Sequence, residues 1–501
     1  VTGSGKTSVF MKLIDQVYQE NKEVIVMVPE IALTPQLTQL FKSRYGSEVA
    51  IFHSGLSDGE RLDEFKRVKN GEIKIAVGTR TAIFAPFENL GLIIIDEEHE
   101  STYKSDTSPS FHARDIAKFR CHYHNTLLVL SSATPSIESF YLAKKNCYTL
   151  NKITKRYGQA KLPKVTVVDM NDELEKGNIS NFSSALMEKI SNNINSKKQT
   201  ILLFNRRGYN TFVSCRNCKE VITCPNCSIS MTYHSANDRL MCHYCGFSLK
   251  LSHECPNCHE RQLKFSGCGT QKVEDELQQL LPGAKILRMD ADTTNCKFSY
   301  EDMLKEFSKG SYDILIGTQM VAKGLNFPNV TLVGRINADQ ALYGQDFRSY
   351  ERAFSLMTQV IGRSGRAENI GEAVIQTFTP ENPIIQLSAE QDYESFYSSE
   401  IELRKTMLYP PFVNVCVVGF YALKEEKASL AARFFFNCLK DLVENKYKNI
   451  PLRVLGPSPA SIVKVDNKYR YKIIIKFKDN KDFREMLDLL AEKMSKEKIF
   501  S

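Results

Sequence analysis

The chain has 501 residues, enough for roughly three or four domains, and its 42% hydrophobic and 25% charged content is typical of globular proteins. No run of about 18 apolar residues and no signal peptide is recognisable, so we expect neither a membrane span nor export. The net charge of +8 permits a polyanionic partner without requiring one.

Residues 1–150 alternate helical patterns with apolar, β-rich runs. The predicted strands are Val24–Val28, Ile73–Val77, Leu92–Ile95 and Thr126–Leu130. Strands that alternate with helices predict βαβ units around a parallel sheet. We therefore predict a first α/β lobe here.

A second α/β lobe is predicted over residues 151–380. Its strand-like runs are Val165–Val168, Ile201–Phe204, Ile286–Met289, Ile314–Ile316, Val330–Val333 and Ala373–Phe378. A cysteine-rich block at 213–262 interrupts the pattern, which indicates an insertion into this lobe.

The pattern changes after Pro380, and we predict a separate α+β domain over residues 381–501. Its predicted elements are strands at Val413–Tyr421, Leu452–Leu455 and Tyr471–Phe477 and helices at Lys424–Glu444 and Phe483–Lys493. The order β-α-β-β-α fits a ferredoxin-like unit that lacks its last strand.

The chain opens on Val-Thr-Gly-Ser-Gly-Lys-Thr, a phosphate-binding loop whose first glycine would precede Val1. We therefore expect a fragment of a longer protein. The backbone of this loop would face phosphate oxygens, its lysine would reach the β- and γ-phosphates of ATP, and its threonine would ligate Mg²⁺. The predicted nucleotide contacts are Gly3, Ser4, Gly5, Lys6 and Thr7. A chance glycine-rich turn is the alternative, because the strand that should precede the loop is not in the sequence.

An acidic cluster, Asp96-Glu97-Glu98-His99, follows the run Leu92–Ile95. Ligands bind at the carboxyl ends of strands in α/β sheets. We predict that Asp96 holds Mg²⁺ through water and that Glu97 positions or activates the attacking water; a solvated loop is the alternative for this motif alone. The hydroxyls of Ser132-Ala-Thr134, after the next run, could bond to the cluster.

Two motifs of the second lobe complete the predicted nucleotide site. Gln359-Val-Ile-Gly-Arg363-Ser-Gly-Arg366 places two arginines three residues apart, and one of them could act as an arginine finger on the γ-phosphate. A basic surface turn is the alternative. The turn Gly317-Thr-Gln319-Met-Val-Ala-Lys323-Gly324 suits phosphate contact, either with DNA or, at Gly324, with the nucleotide.

Eight of the fourteen cysteines form four CxxC pairs, spaced CxxC-x5-CxxC-x14-CxxC-x9-CxxC. In a large chain without a recognisable signal peptide, this spacing favours metal binding over disulfides. Zinc takes four tetrahedral ligands, so we predict two closed structural zinc sites. The predicted ligands are Cys215, Cys218, Cys224, Cys227, Cys242, Cys245, Cys255 and Cys258. Spacing alone leaves nested and interleaved pairings open.

Aromatic and basic residues mark two candidate DNA contacts. Tyr103, Phe111 and His112 lie beside Lys104 and Arg114 in a stretch that could stack on bases, with core packing as the alternative. A second stretch could contact phosphates, with a solvated edge strand as the alternative. It comprises Lys464, Lys468, Arg470 and Lys472 with Tyr469 and Tyr471.

The order of these motifs resembles superfamily 2 helicases, and finer motifs resemble the bacterial primosome assembly helicases, the PriA family. Those finer motifs are Val28-Pro-Glu-Ile-Ala-Leu-Thr-Pro-Gln36, His53-Ser-Gly-Leu-Ser, Gly78-Thr-Arg80, Phe84-Ala-Pro-Phe87, Asn205-Arg-Arg-Gly-Tyr209, Asn337-Ala-Asp-Gln340, Leu455-Gly-Pro-Ser-Pro459 and the four CxxC pairs. The resemblance covers essentially the whole chain. An RNA helicase or remodeller, and a zinc-ribbon module with an inactive motor, remain the alternatives; the zinc block and the intact motor residues argue against them.

The resemblance implies two RecA-like motor lobes and an ATP-dependent 3′→5′ DNA helicase for replication restart in the bacterial cytoplasm. It implies forked and single-stranded DNA, single-stranded-DNA-binding protein and primosome or helicase-loader proteins as partners. It also implies nested zinc sites, with Cys215, Cys218, Cys255 and Cys258 in one and Cys224, Cys227, Cys242 and Cys245 in the other. The family's N-terminal DNA-binding region has no counterpart here, which puts full fork specificity in doubt.

Overall fold

The computed structural model describes residues 2–29, 35–105, 107, 109–157, 162–204, 212–215, 217–218, 220–225, 230–234, 239–242, 246–250, 254–261, 263–266, 270–289, 299–318, 327–344, 346–365 and 371–497. Among these residues, no helix is both long enough and apolar enough to cross a membrane.

The first lobe is built on a parallel sheet flanked by helices. In chain order its elements are α1 (Lys6–Gln19), β1 (Glu23–Met27), α2 (Pro35–Tyr45), β2 (Val49–Phe52), α3 (Asp58–Lys69), β3 (Ile75–Gly78), β4 (Leu90–Asp96), α4 (Ala113–His124), β5 (Leu127–Ser131) and α5 (Ile137–Lys144). The described strands lie in the order β2-β3-β1-β4-β5 and pair in parallel. The four predicted strands are confirmed within a few residues. β2 was not predicted.

Both faces of this sheet are buried. Ile25, Met27 and Ile93 pack in the core on one face, whereas Val24 and Ile94 pack in the core on the other. Parallel strands covered by helices on both sides carry near-continuous apolar runs for this reason. The sheet therefore delivers polar residues only where its strands end, which is where the acidic cluster begins.

The second lobe repeats this arrangement around an inserted module. Before the insertion the lobe has β6 (Lys164–Asp169), α6 (Met170–Glu175), α7 (Ser184–Asn195) and β7 (Gln199–Leu203). The module strands are β8 (Phe212–Cys215), β9 (Thr232–His234), β10 (Arg239–Met241), β11 (Ser248–Lys250) and β12 (Leu263–Ser266). After the insertion come α8 (Thr270–Leu280), β13 (Ile286–Met289), α9 (Ser299–Ser308), β14 (Ile314–Gly317), β15 (Val330–Arg335), α10 (Asp339–Leu342), α11 (Ser349–Ile361) and β16 (Glu372–Thr377). The lobe's described strands are parallel in the order β13-β14-β7-β15-β16-β6, and the described module strands are antiparallel in the order β11-β10-β9-β8-β12. The predicted α/β lobe and its insertion are confirmed.

The ferredoxin-like unit begins later than the change of pattern at Pro380 suggested. Two helices come first, α12 (Pro383–Glu390) and α13 (Tyr393–Thr406), and they pack into the core of the second lobe through Ile385 and Phe396. The amphipathic faces of these helices resemble those of any small domain, so the sequence does not reveal which core they join.

The remaining elements are β17 (Asn414–Ala422), α14 (Glu425–Asn445), β18 (Leu452–Val465), β19 (Lys468–Phe477) and α15 (Lys481–Lys496). The described strands are antiparallel in the order β17-β19-β18, as the β-α-β-β-α pattern predicts. β18 extends ten residues beyond its predicted end because it is an edge strand, which tolerates Pro457 and Pro459, and its pairing with β19 shifts register twice.

Candidate functional site

The phosphate-binding loop has the backbone that its sequence predicts. Gly3 and Gly5 have φ of 72° and 82°, a left-handed region that favours glycine. Gly5 is the N-cap of α1, and Lys6 is the first residue of this 14-residue helix. The N-terminus of such a helix attracts anions because its first N–H groups have no partner within the helix.

Lys6 lies against the predicted catalytic carboxylates. Its Nζ is 2.7 Å from Glu97 Oε1 and 3.4 Å from Asp96 Oδ1. Burial opposes charge on Glu97, but Lys6, His99 and Arg363 outweigh it and lower the pKa of Glu97 to about 2. Burial also opposes charge on Lys6, yet the two carboxylates raise its pKa. Lys6 and Glu97 are therefore an ion pair at neutral pH.

The residues of this site could hold a magnesium–phosphate group. The carboxylate of Asp96 and the hydroxyl of Thr7, an exposed residue, offer the hard oxygen ligands that Mg²⁺ prefers. Lys6 offers positive charge for phosphate oxygens. Ser4 is buried within the loop. Glu97 itself has a left-handed backbone, with φ of 47°, which is uncommon for a non-glycine residue and is typical of functional sites.

The second lobe reaches the acidic cluster through His99. Ser132 Oγ lies 2.7 Å from His99 Nδ1, and Gln359 Nε2 lies 2.8 Å from His99 Nε2. A buried pair of hydroxyls, Thr134 and Ser355, joins the lobes at 2.8 Å. The predicted bonding of the Ser132 motif to the cluster is present, and His99 is a bridging residue that the sequence analysis did not single out.

Arg363 lies close enough to Glu97 to lower its pKa. Its turn touches the phosphate-binding loop, since an added Cβ at Gly362 would lie 2.2 Å from Thr2 Oγ1. Arg366, Gln319, Lys323 and Gly324 fall outside the described residues.

Glu98 has a structural role that its place in an acidic run concealed. Its carboxylate accepts bonds from the backbone N–H and hydroxyl of Ser136, the hydroxyl of Ser139 and the guanidinium of Arg114. The next N–H, that of Ile137, donates to Glu351 of the second lobe at 3.0 Å. The first turn of α5 is thus capped by one carboxylate from each lobe.

A buried charge cluster continues from this point. Arg404 donates to Glu400 at 2.9 Å, to Glu351 at 2.7 Å and to Glu138 at 3.3 Å, and Arg348 also pairs with Glu138 and Glu351. Arg404 is fully buried and Glu400 is 3% exposed. The cluster joins α5, α11 and α13. Sequence spacing indicates only its local pairs, Glu400 with Arg404 and Arg348 with Glu351, and not the contacts between the helices.

The segment between the lobes lies on the phosphate-binding loop. Tyr157 N–H donates to Gly3 O at 3.0 Å, and Arg156 donates to the carbonyls of Gly362, Ser364 and Gly365. These two residues were also missed, because a linker position carries no motif.

Four cysteines of the inserted module converge on one point. The Sγ atoms of Cys215, Cys218, Cys255 and Cys258 all lie within 4.8 Å of one another. The separations Cys215–Cys258 and Cys218–Cys255 are each 3.6 Å, close to the ~3.8 Å edge of a tetrahedron with Zn–S bonds of about 2.3 Å. This is one of the two groupings in the nested arrangement. Cys224 and Cys242 are buried nearby in the module core, whereas Cys227 and Cys245 lie outside the described residues.

The aromatic stretch after the acidic cluster does not form the predicted DNA-stacking surface at Tyr103. This side chain is 1% exposed, and its hydroxyl donates to Asp96 O at 2.6 Å and Met27 O at 3.1 Å. Arg114 is likewise held by Glu98, and His112 caps α4. Phe111 is partly buried and packs edge-on against Phe84, which is 49% exposed.

The basic stretch near the C-terminus is divided between two faces of its sheet. Tyr471 packs into the helix layer and bonds to Glu425, whereas the adjacent residue, Arg470, lies over the ring of Tyr421 on the other face. Because side chains of a strand alternate in direction, Lys468, Arg470 and Lys472 share one face of β19, whereas Tyr469 and Tyr471 lie on the other. Phosphate contact by this stretch stays a prediction. Lys464 and Tyr469 do contact each other, at 4.9 Å.

Family models match four parts of the chain. Residues 1–141 match the DEAD/DEAH box helicase model and residues 263–368 the helicase conserved C-terminal domain. Residues 224–250 match the PriA DNA helicase Cys-rich region, and residues 405–499 match the Primosomal protein N C-terminal domain.

Curated relatives match nearly the whole chain. It is 46% identical over 497 residues to the replication restart protein PriA of Bacillus subtilis, covering 99% of this chain and 61% of that protein. It is 40% identical to that of Synechocystis, covering 95% and 58%, and 35% identical to that of Borreliella burgdorferi, covering 99% and 73%. The chain thus spans about three fifths of the length of the first two relatives. Among solved structures, RecG bound to a three-way DNA junction is 16% identical with a TM-score of 0.46, over 80% of this chain and 42% of that one, a likeness too weak to argue from.

Proposed function

Since the chain belongs to the PriA family of replication restart proteins, we propose that it is the motor and zinc-binding part of an ATP-driven 3′→5′ DNA helicase that acts on stalled or forked DNA and initiates primosome assembly. The observation that carries the motor assignment is the pairing of Lys6 with Glu97 and Asp96 at the end of β4. Across the cleft, Arg363 of the second lobe lies near enough to act on the charge of Glu97.

The chemistry follows from the roles of these groups. Lys6 and the loop Gly3–Thr7 bind the phosphates, and Glu97, held ionised, positions the attacking water. Mg²⁺, when bound near Asp96, neutralises developing charge on the phosphates. Arg363 or Arg366 stabilises the transferring phosphoryl group from the other lobe, so hydrolysis depends on closure of the lobes.

The inserted module binds zinc for structural rather than catalytic reasons. Four cysteine ligands whose Sγ atoms lie within 4.8 Å of one another would complete the tetrahedral coordination of a zinc ion and leave no open position. Two zinc ions per chain are proposed, the second held by Cys224, Cys227, Cys242 and Cys245 as the family resemblance implies. The burial of Cys224 and Cys242 supports this second site.

Proposed partners are forked and single-stranded DNA, single-stranded-DNA-binding protein and primosome or loader proteins. The names of the relatives and the basic, aromatic face at Arg470 and Tyr421 support a nucleic-acid partner. Cytoplasmic location in a bacterium follows from the same proposal.

The test uses the intact protein and measures ATP hydrolysis with single-stranded DNA, with RNA and with neither. We expect DNA to stimulate hydrolysis most and a forked duplex with a 3′ single-stranded arm to be unwound. Lys6→Ala should weaken nucleotide binding or turnover, whereas Glu97→Gln should spare binding and slow turnover. Lys12→Ala, an exposed lysine on the same helix, is the matched control. Near-normal DNA-stimulated turnover in Glu97→Gln, or stimulation by RNA alone, would overturn the proposal.

A further inference from the structure

The chain segment between the lobes brings an aromatic ring onto the phosphate-binding loop. An atom added at the Cβ position of Gly5 would lie 3.0 Å from Cδ2 of Tyr157, so the ring rests against this glycine. The backbone of Tyr157 is fixed there as well, because its N–H donates to Gly3 O at 3.0 Å. The position of this ring is therefore set by the loop itself.

The preceding residue fixes the segment from the second lobe. Arg156 is 8% exposed and donates to Gly362 O at 3.4 Å, Ser364 O at 3.3 Å and Gly365 O at 3.1 Å. Gly362 is the C-cap of α11, where the carbonyls at the end of a helix lack partners and attract cations, and the other two carbonyls lie in the turn that follows. Arg156 and Tyr157 together hold the linker between the two halves of the cleft.

The ring of Tyr157 has no partner of its own among the described residues. It is 74% exposed, although its backbone N–H is bonded to Gly3 O and the side chain of the preceding Arg156 is bonded to the second lobe. Val9, another exposed apolar side chain at 44%, lies one turn along α1 from Gly5, on the same face of the helix. The aromatic ring of Tyr157 thus lies beside the end of the phosphate-binding loop, with the apolar side chain of Val9 near it.

We propose that the nucleobase of the bound nucleotide stacks on the ring of Tyr157, and that Arg156 is the positioning residue that holds this ring in place. The proposal rests on the proposed ATP site. A nucleoside triphosphate whose phosphates occupy the loop must place its base within reach of the loop's rim. Stacking on an aromatic ring suits any base, so this contact adds affinity without selecting adenine.

The test distinguishes contacts with the nucleobase from contacts with the phosphates. Binding of a non-hydrolysable ATP analogue and of inorganic tripolyphosphate, both with Mg²⁺, is measured by calorimetry in the intact protein. Tyr157→Ala should weaken the ATP analogue about tenfold, the order of one stacking contact, and leave tripolyphosphate unchanged. Tyr157→Phe should restore binding, because the ring rather than the hydroxyl makes the contact.

Other outcomes would contradict either the stacking role of Tyr157 or the ATP site itself. Equal weakening of both ligands in Tyr157→Ala would mean that the residue only supports the loop, and no change in either would mean that it contacts nothing; both overturn the stacking assignment. Lys6→Ala should weaken both ligands, and its failure to do so would overturn the ATP site instead. Arg156→Gln should weaken the analogue alone and have little further effect in the Tyr157→Ala background. Additive losses in that pair would overturn the positioning role.

Discussion

The charge cluster around Arg404 contains three carboxylates and two guanidiniums, so one carboxyl can hold a proton near neutral pH. Burial raises the pKa of Glu400 to about 7, although Arg404 lowers it. Against the effect of its own burial, Arg404 and Arg348 lower the pKa of Glu351 to about 2. Glu400 is therefore the carboxyl of this cluster that takes up a proton in the folded protein as the pH falls through about 7.

Because the pKa of Glu400 differs between the folded and unfolded states, the free energy of unfolding depends on pH, and the sign of this dependence follows from proton linkage. The pKa of Glu400 rises from 4.5 in the unfolded chain to about 7 in the folded one, so the folded state binds the proton more tightly. Its contribution to stability is complete below about pH 4.5 and is lost as the pH rises through 7. At ~1.4 kcal/mol per pKa unit, the loss is about 3 kcal/mol.

Glu400→Gln removes the titration and keeps an oxygen that accepts from Arg404 Nε. We expect the free energy of unfolding of the natural protein to fall by about 3 kcal/mol relative to the variant between pH 4 and pH 8, measured by urea unfolding at matched slopes. Glu402→Gln, an exposed acid on the same helix, is the control and should follow the natural protein. A constant difference between natural protein and Glu400→Gln across this range would refute the assignment of the proton.

Three further changes test other parts of the molecule. Arg366→Ala should lower the single-turnover rate of ATP hydrolysis on the order of 10³-fold if it is the arginine finger; a loss of affinity alone would assign that role elsewhere. Cys224→Ser should keep most DNA-dependent ATP hydrolysis but lose unwinding and part of the zinc measured by metal analysis; a parallel loss of both activities in a folded protein contradicts this. Tyr103→Phe should cost about 1 kcal/mol in thermal unfolding, because it loses bonds to Asp96 O and Met27 O, and should leave stimulation by single-stranded DNA intact.

The features that the sequence predicted are those encoded locally. Buried parallel strands are continuous apolar runs, so those of β4 and β15 stand out, and the loop Gly3–Thr7 and the acidic residues after β4 occupy fixed offsets from such elements. The β-α-β-β-α order also sufficed for the C-terminal sheet. In each case the information lies within a few residues of the feature.

The features that the sequence did not predict depend on contacts between distant segments. Glu98 and Glu351 cap the same helix although 253 positions separate them, and each alone resembles a surface acid. Tyr103 resembled a stacking residue because Lys104 follows it and Arg114 lies nearby in the sequence, yet its hydroxyl donates a bond to the strand backbone. Only tertiary packing decides between these alternatives.

The zinc module shares a core with the C-terminal domain, which changes what its loss would mean. Val213 and Met231 of the module pack with Tyr409 and Ile474 of the C-terminal region. An added Cβ at Gly246 would lie 2.5 Å from Ser458 Cβ, so the two backbones approach closely. Unfolding the module would therefore uncover one face of β19 and release the segment that follows Arg404, whereas the pairing of Lys6 with Glu97 lies in the other lobe. For this reason we expect loss of zinc to affect unwinding and partner contacts before it affects hydrolysis.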